Sequence, residues 1–259
     1  MKALLLMMAA LSAAVFVSST AVVGAGLQAG PQTGTIRGHI KLTGALPGNA
    51  VIRMGRDPKC NQLNRGKLVV QELVAAAKDG SLANVFVKLQ GTFPQTPVPA
   101  TPVVISQGGC LYAPRVVGAR VGQSLEVRNT DEVLHNVHSI ATKGNAFNTS
   151  QPKAGMVFTY KLKDEEMLHL ICDIHSWMTA YVGIAPHPYF AVSGADGTFE
   201  IRNVPAGMRT IQAWHEVYGM MTQTVNVKPG AVTSVDFSYT GKETPARKAV
   251  RALNPSFVG

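Results

Sequence analysis

Apolar residues along this chain recur at every second position far more often than at every third or fourth. In "TIRGHIKLTG" the residues Ile36, Gly38, Ile40 and Leu42 share one side. "ANVFVKLQG" groups Val85, Val87 and Leu89, and "GMVFTYKLKD" groups Met156, Phe158, Tyr160 and Leu162. A period of two marks half-buried strands. "QSLEVRNTD", "FAVSGADGTFEIRNVPAG", "MTQTVNVKPG" and "VTSVDFSYTG" continue the series, each closed by Gly, Pro, Asn or Asp. Short strands at this spacing predict an all-β chain of sandwich architecture. Helical spacing has one candidate, "LVVQELVAAAKDGSLA" (68–83), whose Val-rich start suits a strand equally well. The Asp196-Gly197 pair between alternating runs predicts a hairpin with positive φ at both turn positions. Two Pro-bearing stretches, "GTFPQTPVPATP" (91–102) and "IAPHPYF" (184–190), interrupt the pattern and mark candidate domain boundaries.

The opening "MKALLLMMAALSAAVFVSSTAVVGAG" is not part of that pattern. One Lys precedes a long apolar run with no acidic residue, and the small residues Val23 and Ala25 suit a signal peptidase. Residues 1–25 therefore read as a secretory signal, cleaved after about Ala25, with Ala21 as the second choice. No other stretch is apolar enough to span a bilayer, so an exported protein without a stable membrane span is expected, periplasmic or secreted from a bacterium. The net charge is +9. That excess favours acidic partners, but no tight Lys/Arg cluster with interleaved aromatics points to nucleic acid. Its densest part is the tail 242–259, read as a solvated end.

Three cysteines are an odd number for an exported chain. Cys60 and Cys110 lie in loop-like contexts and are free to pair in an oxidising compartment, which leaves Cys172 alone. Cys172 sits in "LHLICDIHSWMTAYV", with His175 and Met178 at successive three-residue steps. It reads as half of a disulfide, a nucleophile or a metal ligand. A hydrolase needs a base and an oxyanion hole, which nothing here suggests, and "WHEVYG" lacks the second His of a zinc-protease motif. Upstream, "EVRNTDEVLHNVHSIA" supplies His135 at the end of a polar turn. One thiolate, two imidazoles and a weak thioether are the donor types of a mononuclear blue-copper site. Asn136 is placed to hydrogen-bond across and tie the two donor loops together.

"LHNVHS" and "CDIHSWM" resemble the two metal loops of cupredoxins of the amicyanin and plastocyanin type. The framing "VGQSLEVRNTDEVLHNVH" and "AGMVFTYKLKDEEMLHLIC", the latter taken as a hairpin feeding the cysteine strand, extend the likeness over roughly residues 100–186. The resemblance implies a Greek-key β-sandwich holding one type 1 copper ion, with His135, Cys172 and His175 as equatorial ligands and Met178 as the axial one. Ser176 stands where such loops usually carry proline, which weakens the expectation of a rigid loop. The resemblance gives His138 no ligand role; it is expected on the His135 side as a supporting or structural residue. His169 is expected to pack away from the site.

Residues 188–240 resemble the carboxypeptidase regulatory-like family, a transthyretin-like β-sandwich, through the "DGTFEIRNVPAG" segment and the alternating strand after it. That family's opening strands have counterparts in "GTIRGHIKLTG" and "ANVFVKLQG". The expected layout is a first part of this sandwich over 34–97, a cupredoxin-like domain over 98–186, and the rest of the sandwich over 187–241. His187 and His215, the latter beside Trp214, are read as structural histidines rather than a second site.

Together these readings give an exported electron carrier rather than an enzyme. Electrons would leave through an exposed edge of His175, framed by Trp177, Met178 and Ala180, toward an acidic cytochrome or dehydrogenase. The absence of a second histidine cluster speaks against a multicopper oxidase or a nitrite reductase. The competing reading is an envelope binding or scaffold module, or a copper store, on the same fold.

Overall fold

A computed structural model gives the structure, describing residues 32–65 and 67–243. The expected signal segment 1–25 and the tail beyond residue 243 lie outside the described residues. Among the described residues no helix is long and apolar enough to cross a membrane. They are nearly all β, in seventeen strands forming four sheets.

Two of the sheets are built from the outer parts of the chain. β1 (Thr33–Leu42) pairs antiparallel with β13 (Thr198–Pro205) and parallel with β16 (Val232–Ser234) and β17 (Phe237–Tyr239). The second sheet runs in the order β12 (Phe190–Val192), β2 (Phe86–Gln90), β14 (Gly207–His215), β15 (Gly219–Val227). The alternation read in the sequence fills the space between them. Ile36, Ile40, Val87, Leu89, Ile211, Ala213 and Phe237 are fully buried in one cluster.

Residues 103–185 form the other two sheets. One has the order β5 (Val116–Arg120), β11 (Thr179–Ala185), β10 (Met167–Ile171), β7 (His135–Ile140), β8 (Asn148–Gln151). The other has β4 (Leu111–Ala113), β3 (Val103–Gly108), β6 (Ser124–Asn129), β9 (Val157–Lys161). Ile105, Leu125, Val127, Val137, Leu168, Leu170 and Val182 form their shared core. This all-β sandwich is consistent with the cupredoxin-like fold that the resemblance implies.

Aromatic rings of β2 and β12 lie on the outer face of the β5–β11 pair, and two glycines admit them. A Cβ at Gly183 would sit 2.6 Å from the Phe86 ring, and one at Gly118 would sit 2.5 Å from that of Phe190. Beside them the guanidinium of Arg115 forms a two-pronged ion pair with Glu216, and both side chains are largely buried.

Four local expectations need correction. The stretch 68–83 is not helical. Val70 bridges Val51, Ala76 bridges Leu82, and a tight turn closes at Gly80 with φ +84°. The single α-helix among the described residues is instead α1 (Pro58–Leu63), in the context taken as a loop around Cys60. Asp57 caps it, accepting from the Lys59 and Cys60 N–H groups, and Pro58 occupies a first-turn position where no N–H is needed. The Asp196-Gly197 turn forms, but only Gly197 has positive φ. Its flanking strands β12 and β13 pair with different partners, so the turn crosses between sheets instead of closing a hairpin. The same holds for β9 and β10: β9 pairs with β6, and β10 with β7 and β11, because their apolar faces close the core from opposite sides.

Candidate metal centre

His135 opens β7, Cys172 directly follows β10, and His175 and Met178 lie in the loop leading to β11. Leu168 and Leu170 anchor β10 in the core, so the chain reaches Cys172 already buried. The loop is closed at its base, where Cys172 N–H donates to the Met178 carbonyl at 3.2 Å. Inside it, Met178 N–H donates to the His175 carbonyl at 2.8 Å. The loop therefore turns back on itself without a proline at position 176.

The structure brings three of the predicted donors together. His135 Nδ1 lies 3.1 Å from His175 Nδ1, and Cys172 Sγ lies 3.9 Å from His175 Nδ1. Donor atoms of His135, Cys172 and His175 all fall within 4.8 Å of one another. Met178 is fully buried in the same core cluster as Cys172. Exposure is 0% for His135, 2% for Cys172, 2% for His175 and 0% for Met178.

Each imidazole turns one nitrogen inward and gives the other to a carboxylate. His135 Nε2 donates to Asp131 Oδ2 at 3.0 Å, and His175 Nε2 to Asp57 Oδ2 at 3.0 Å. Fixing the outer nitrogen orients the ring and raises its basicity as a donor. The aspartates are fixed in turn. Asp131 accepts from the Gly109 and Cys110 N–H groups at 2.8 Å each, and Asp57 from those of Lys59 and Cys60. Cys60 and Cys110 are joined in a disulfide, and Cys60 Sγ lies 3.4 Å from His175 Nε2.

Electrostatics follow this geometry. Burial alone would raise the Cys172 thiol, but hydrogen bonds from His135 and His175, and from the backbone of Asn136 and His175, outweigh it and bring it down to about 5. Burial likewise opposes charge on His135, yet Asp131 and Cys172 lift it to about 9. His175 is also raised, because Cys172 and Asp57 overcome its burial. A thiolate among polarised imidazoles is thus the favoured form.

Asn136 joins the two donor loops: its Oδ1 accepts from Asp173 N–H at 2.6 Å, and its Nδ2 donates to Asp173 Oδ2 at 2.8 Å. Tyr112 OH donates to the Asn136 carbonyl at 2.7 Å and the Ile171 carbonyl at 3.2 Å, linking β7 just after His135 to β10 just before Cys172. His138 contradicts the expected placement. It lies three positions beyond His135, an odd step that puts it on the opposite face, where it hydrogen-bonds Asp173 at 2.9 Å. His169 packs away from the site, stacked on Tyr181 with ring centroids 4.6 Å apart. His187 and His215 each satisfy backbone groups: His187 donates to the Leu89 carbonyl, and His215 Nδ1 accepts from Val217 N–H.

The exposed edge expected for His175 is absent. Asp57 and the disulfide cover its Nε2, Met178 and Ala180 are fully buried, and only Trp177 of the expected frame is partly exposed. Sequence reasoning passed over Asp57, Asp131 and Asp173. The signals were present in an Asp-Pro pair at a helix start, and in an acidic residue four positions before His135.

A metal bonded at about 2.0 Å to nitrogen and about 2.3 Å to sulfur needs nitrogens no more than about 4 Å apart, and sulfur no more than about 4.3 Å from nitrogen. The separations of 3.1 Å and 3.9 Å meet both limits. A thiolate–imidazole set also suits copper by donor softness. The residues fit the group.

No protein-family model matches the chain, and no curated protein does. Among solved structures, a purple cupredoxin from Nitrosopumilus maritimus matches at 24% identity, covering 32% of this chain and 99% of that one, with a TM-score of 0.29. A copper-containing nitrite reductase from Thermus scotoductus matches at 20% identity over 37% of this chain and 25% of that one, with a TM-score of 0.30. A variant of amicyanin in its Cu(I) form matches at 16% identity over 38% of this chain and 98% of that one, with a TM-score of 0.30.

Proposed function

We propose that this protein is an exported, mononuclear type 1 copper protein that transfers single electrons. The observation that carries the reading is the buried meeting of two inward imidazole nitrogens with the Cys172 sulfur. His135, Cys172 and His175 would hold the metal, with Met178 as the weak fourth donor. Copper bound there supplies a one-electron couple whose potential the thioether tunes. Asp131 and Asp57 hold the rings in one tautomer, and Asn136 keeps the two donor loops in register. A centre with all four side chains buried offers a substrate no open position, unlike a catalytic metal site, and this supports a carrier over an enzyme.

The layout read from the sequence completes the proposal. The cupredoxin-like part spans 98–186, set between 34–97 and 187–241 of a carboxypeptidase regulatory-like sandwich. Export to a bacterial periplasm and an acidic redox partner, a cytochrome or a dehydrogenase, are supported by the signal-like start and by the excess of Lys and Arg over Asp and Glu. The second reading, a scaffold or copper-store module, is favoured by the size of the outer sandwich, whose strands contribute none of the four donors.

Reconstitution with Cu(II) tests the choice. An intense thiolate-to-copper charge-transfer band is expected, abolished by Cys172→Ser and by His135→Ala. A colourless protein, or copper bound equally well without Cys172, refutes electron transfer at this site.

A further inference from the structure

Both candidate ligand histidines are held from outside by the two halves of one disulfide. Asp131 bridges His135 Nε2 to the backbone N–H of Cys110, and Asp57 bridges His175 Nε2 to the backbone N–H of Cys60. The Cys60–Cys110 bond joins the two supports, and both half-cystines are fully buried. Asn64 reinforces the arrangement, its Nδ2 donating to the Cys60 and Gly109 carbonyls at 2.8 and 2.9 Å. The Asp57 half comes from the segment between β1 and β2, outside the 103–185 sandwich that carries all four donors.

We propose that Asp57, anchored by the Cys60–Cys110 disulfide, is a positioning residue for His175, clamping its outer nitrogen so that the inner one faces Cys172. The proposal rests on the copper reading above and deepens it. His175 sits in a loop that carries Ser176 where a proline would stiffen it, and its ring has two rotatable bonds. Inside the loop Trp177 packs against the ring, with centroids 5.1 Å apart, while the hydrogen bond to its outer nitrogen comes from Asp57. The carboxylate at 3.0 Å on Nε2 and the Cys60 sulfur at 3.4 Å hold the ring from outside the loop. The clamp supplies from another part of the chain the rigidity that the loop's own sequence lacks. It also closes the ring edge, so His175 meets neither solvent nor a docking partner directly.

Two readouts test this, one of them free of metal. In metal-free protein, diethyl pyrocarbonate acylates accessible imidazole nitrogens, and His138, with 33% of its side chain exposed, serves as internal reference. Peptide mapping should find His175 protected in the wild type and modified at least 10-fold faster in Asp57→Ala and in the Cys60→Ser/Cys110→Ser pair. In the copper-loaded protein, Asp57→Ala should weaken copper binding about 10- to 100-fold and shift the charge-transfer band. Asp57→Asn keeps an oxygen acceptor for Nε2–H and should recover most of both effects. It also keeps the test decisive if the alanine variant does not fold. Equal protection of His175 in wild type and variants, or copper affinity within twofold of wild type, overturns the clamp. If the wild type shows no charge-transfer band while His175 protection still depends on Asp57, the clamp stands and the copper reading falls.

Discussion

His215 offers a quantitative check on the outer sandwich. It ends β14 with 1% exposure, stacked on Tyr218 with ring centroids 4.9 Å apart, and its Nδ1 accepts from the N–H groups of Val217 and Tyr218. Burial, and then the positive charge of Arg115, lower it to about 4. The folded protein therefore keeps this ring neutral where the unfolded chain, with an ordinary value near 6.5, takes up a proton. The unfolded state binds the extra proton, so this contribution is intact above about pH 6.5 and is lost as pH falls toward 4. Linkage over that window gives about 2 kcal/mol lost between pH 7 and pH 5, levelling at about 3 kcal/mol below pH 4. His215→Asn removes the titration and keeps an oxygen acceptor for the two N–H groups. Urea unfolding of metal-free wild type and variant at pH 7 and pH 5 isolates the effect. His169, also lowered to about 4, contributes equally to both proteins and cancels. The variant should lose about 2 kcal/mol less than wild type on acidification. Equal losses would refute the assignment of His215 as a buried neutral ring.

Three further outcomes follow from the packing. Replacing Cys60 and Cys110 together by serine releases a loop of 50 residues and should lower stability by about 4 kcal/mol in the chain-entropy account, read from the urea midpoint. Tyr112→Phe removes two hydrogen bonds between the donor strands and should cost about 1–3 kcal/mol, measured by thermal unfolding of metal-free protein. Gly38→Ala places a Cβ 1.8 Å from the Val235 carbonyl oxygen and should destabilise by about 1–3 kcal/mol, again by urea unfolding.

Period-two patterning made the strands legible because each sheet has one buried face, as Val85, Val87 and Leu89 show at 0% exposure. It could not say which strands pair. β9 and β10 look like a hairpin in sequence and part into opposite sheets, since an alternating pattern is equally satisfied from either side of a core. The candidate donor residues were readable because their types and spacing are chemically restrictive. Their supports were not, since an aspartate's meaning depends on what long-range folding brings to it. Asp57 lies 118 positions from the ring it holds. The one α-helix among the described residues was missed for a similar reason: its six residues bury only Cys60 and leave no apolar stripe, so only the Asp-Pro cap announced it.

The His175 ring also lies against two sulfur systems, one at each nitrogen. On one side is the Cys172 sulfur at 3.9 Å, biased toward thiolate, and on the other the Cys60–Cys110 disulfide at 3.4 Å. Thiol–disulfide exchange requires a thiolate to reach a disulfide sulfur directly. All three cysteines crowd around one imidazole, whose two nitrogens face different sulfurs. A smaller side chain at position 175 would remove the ring that lies against both the free cysteine and the disulfide, and mapping the disulfide in His175→Ala reads whether Cys60 and Cys110 remain paired.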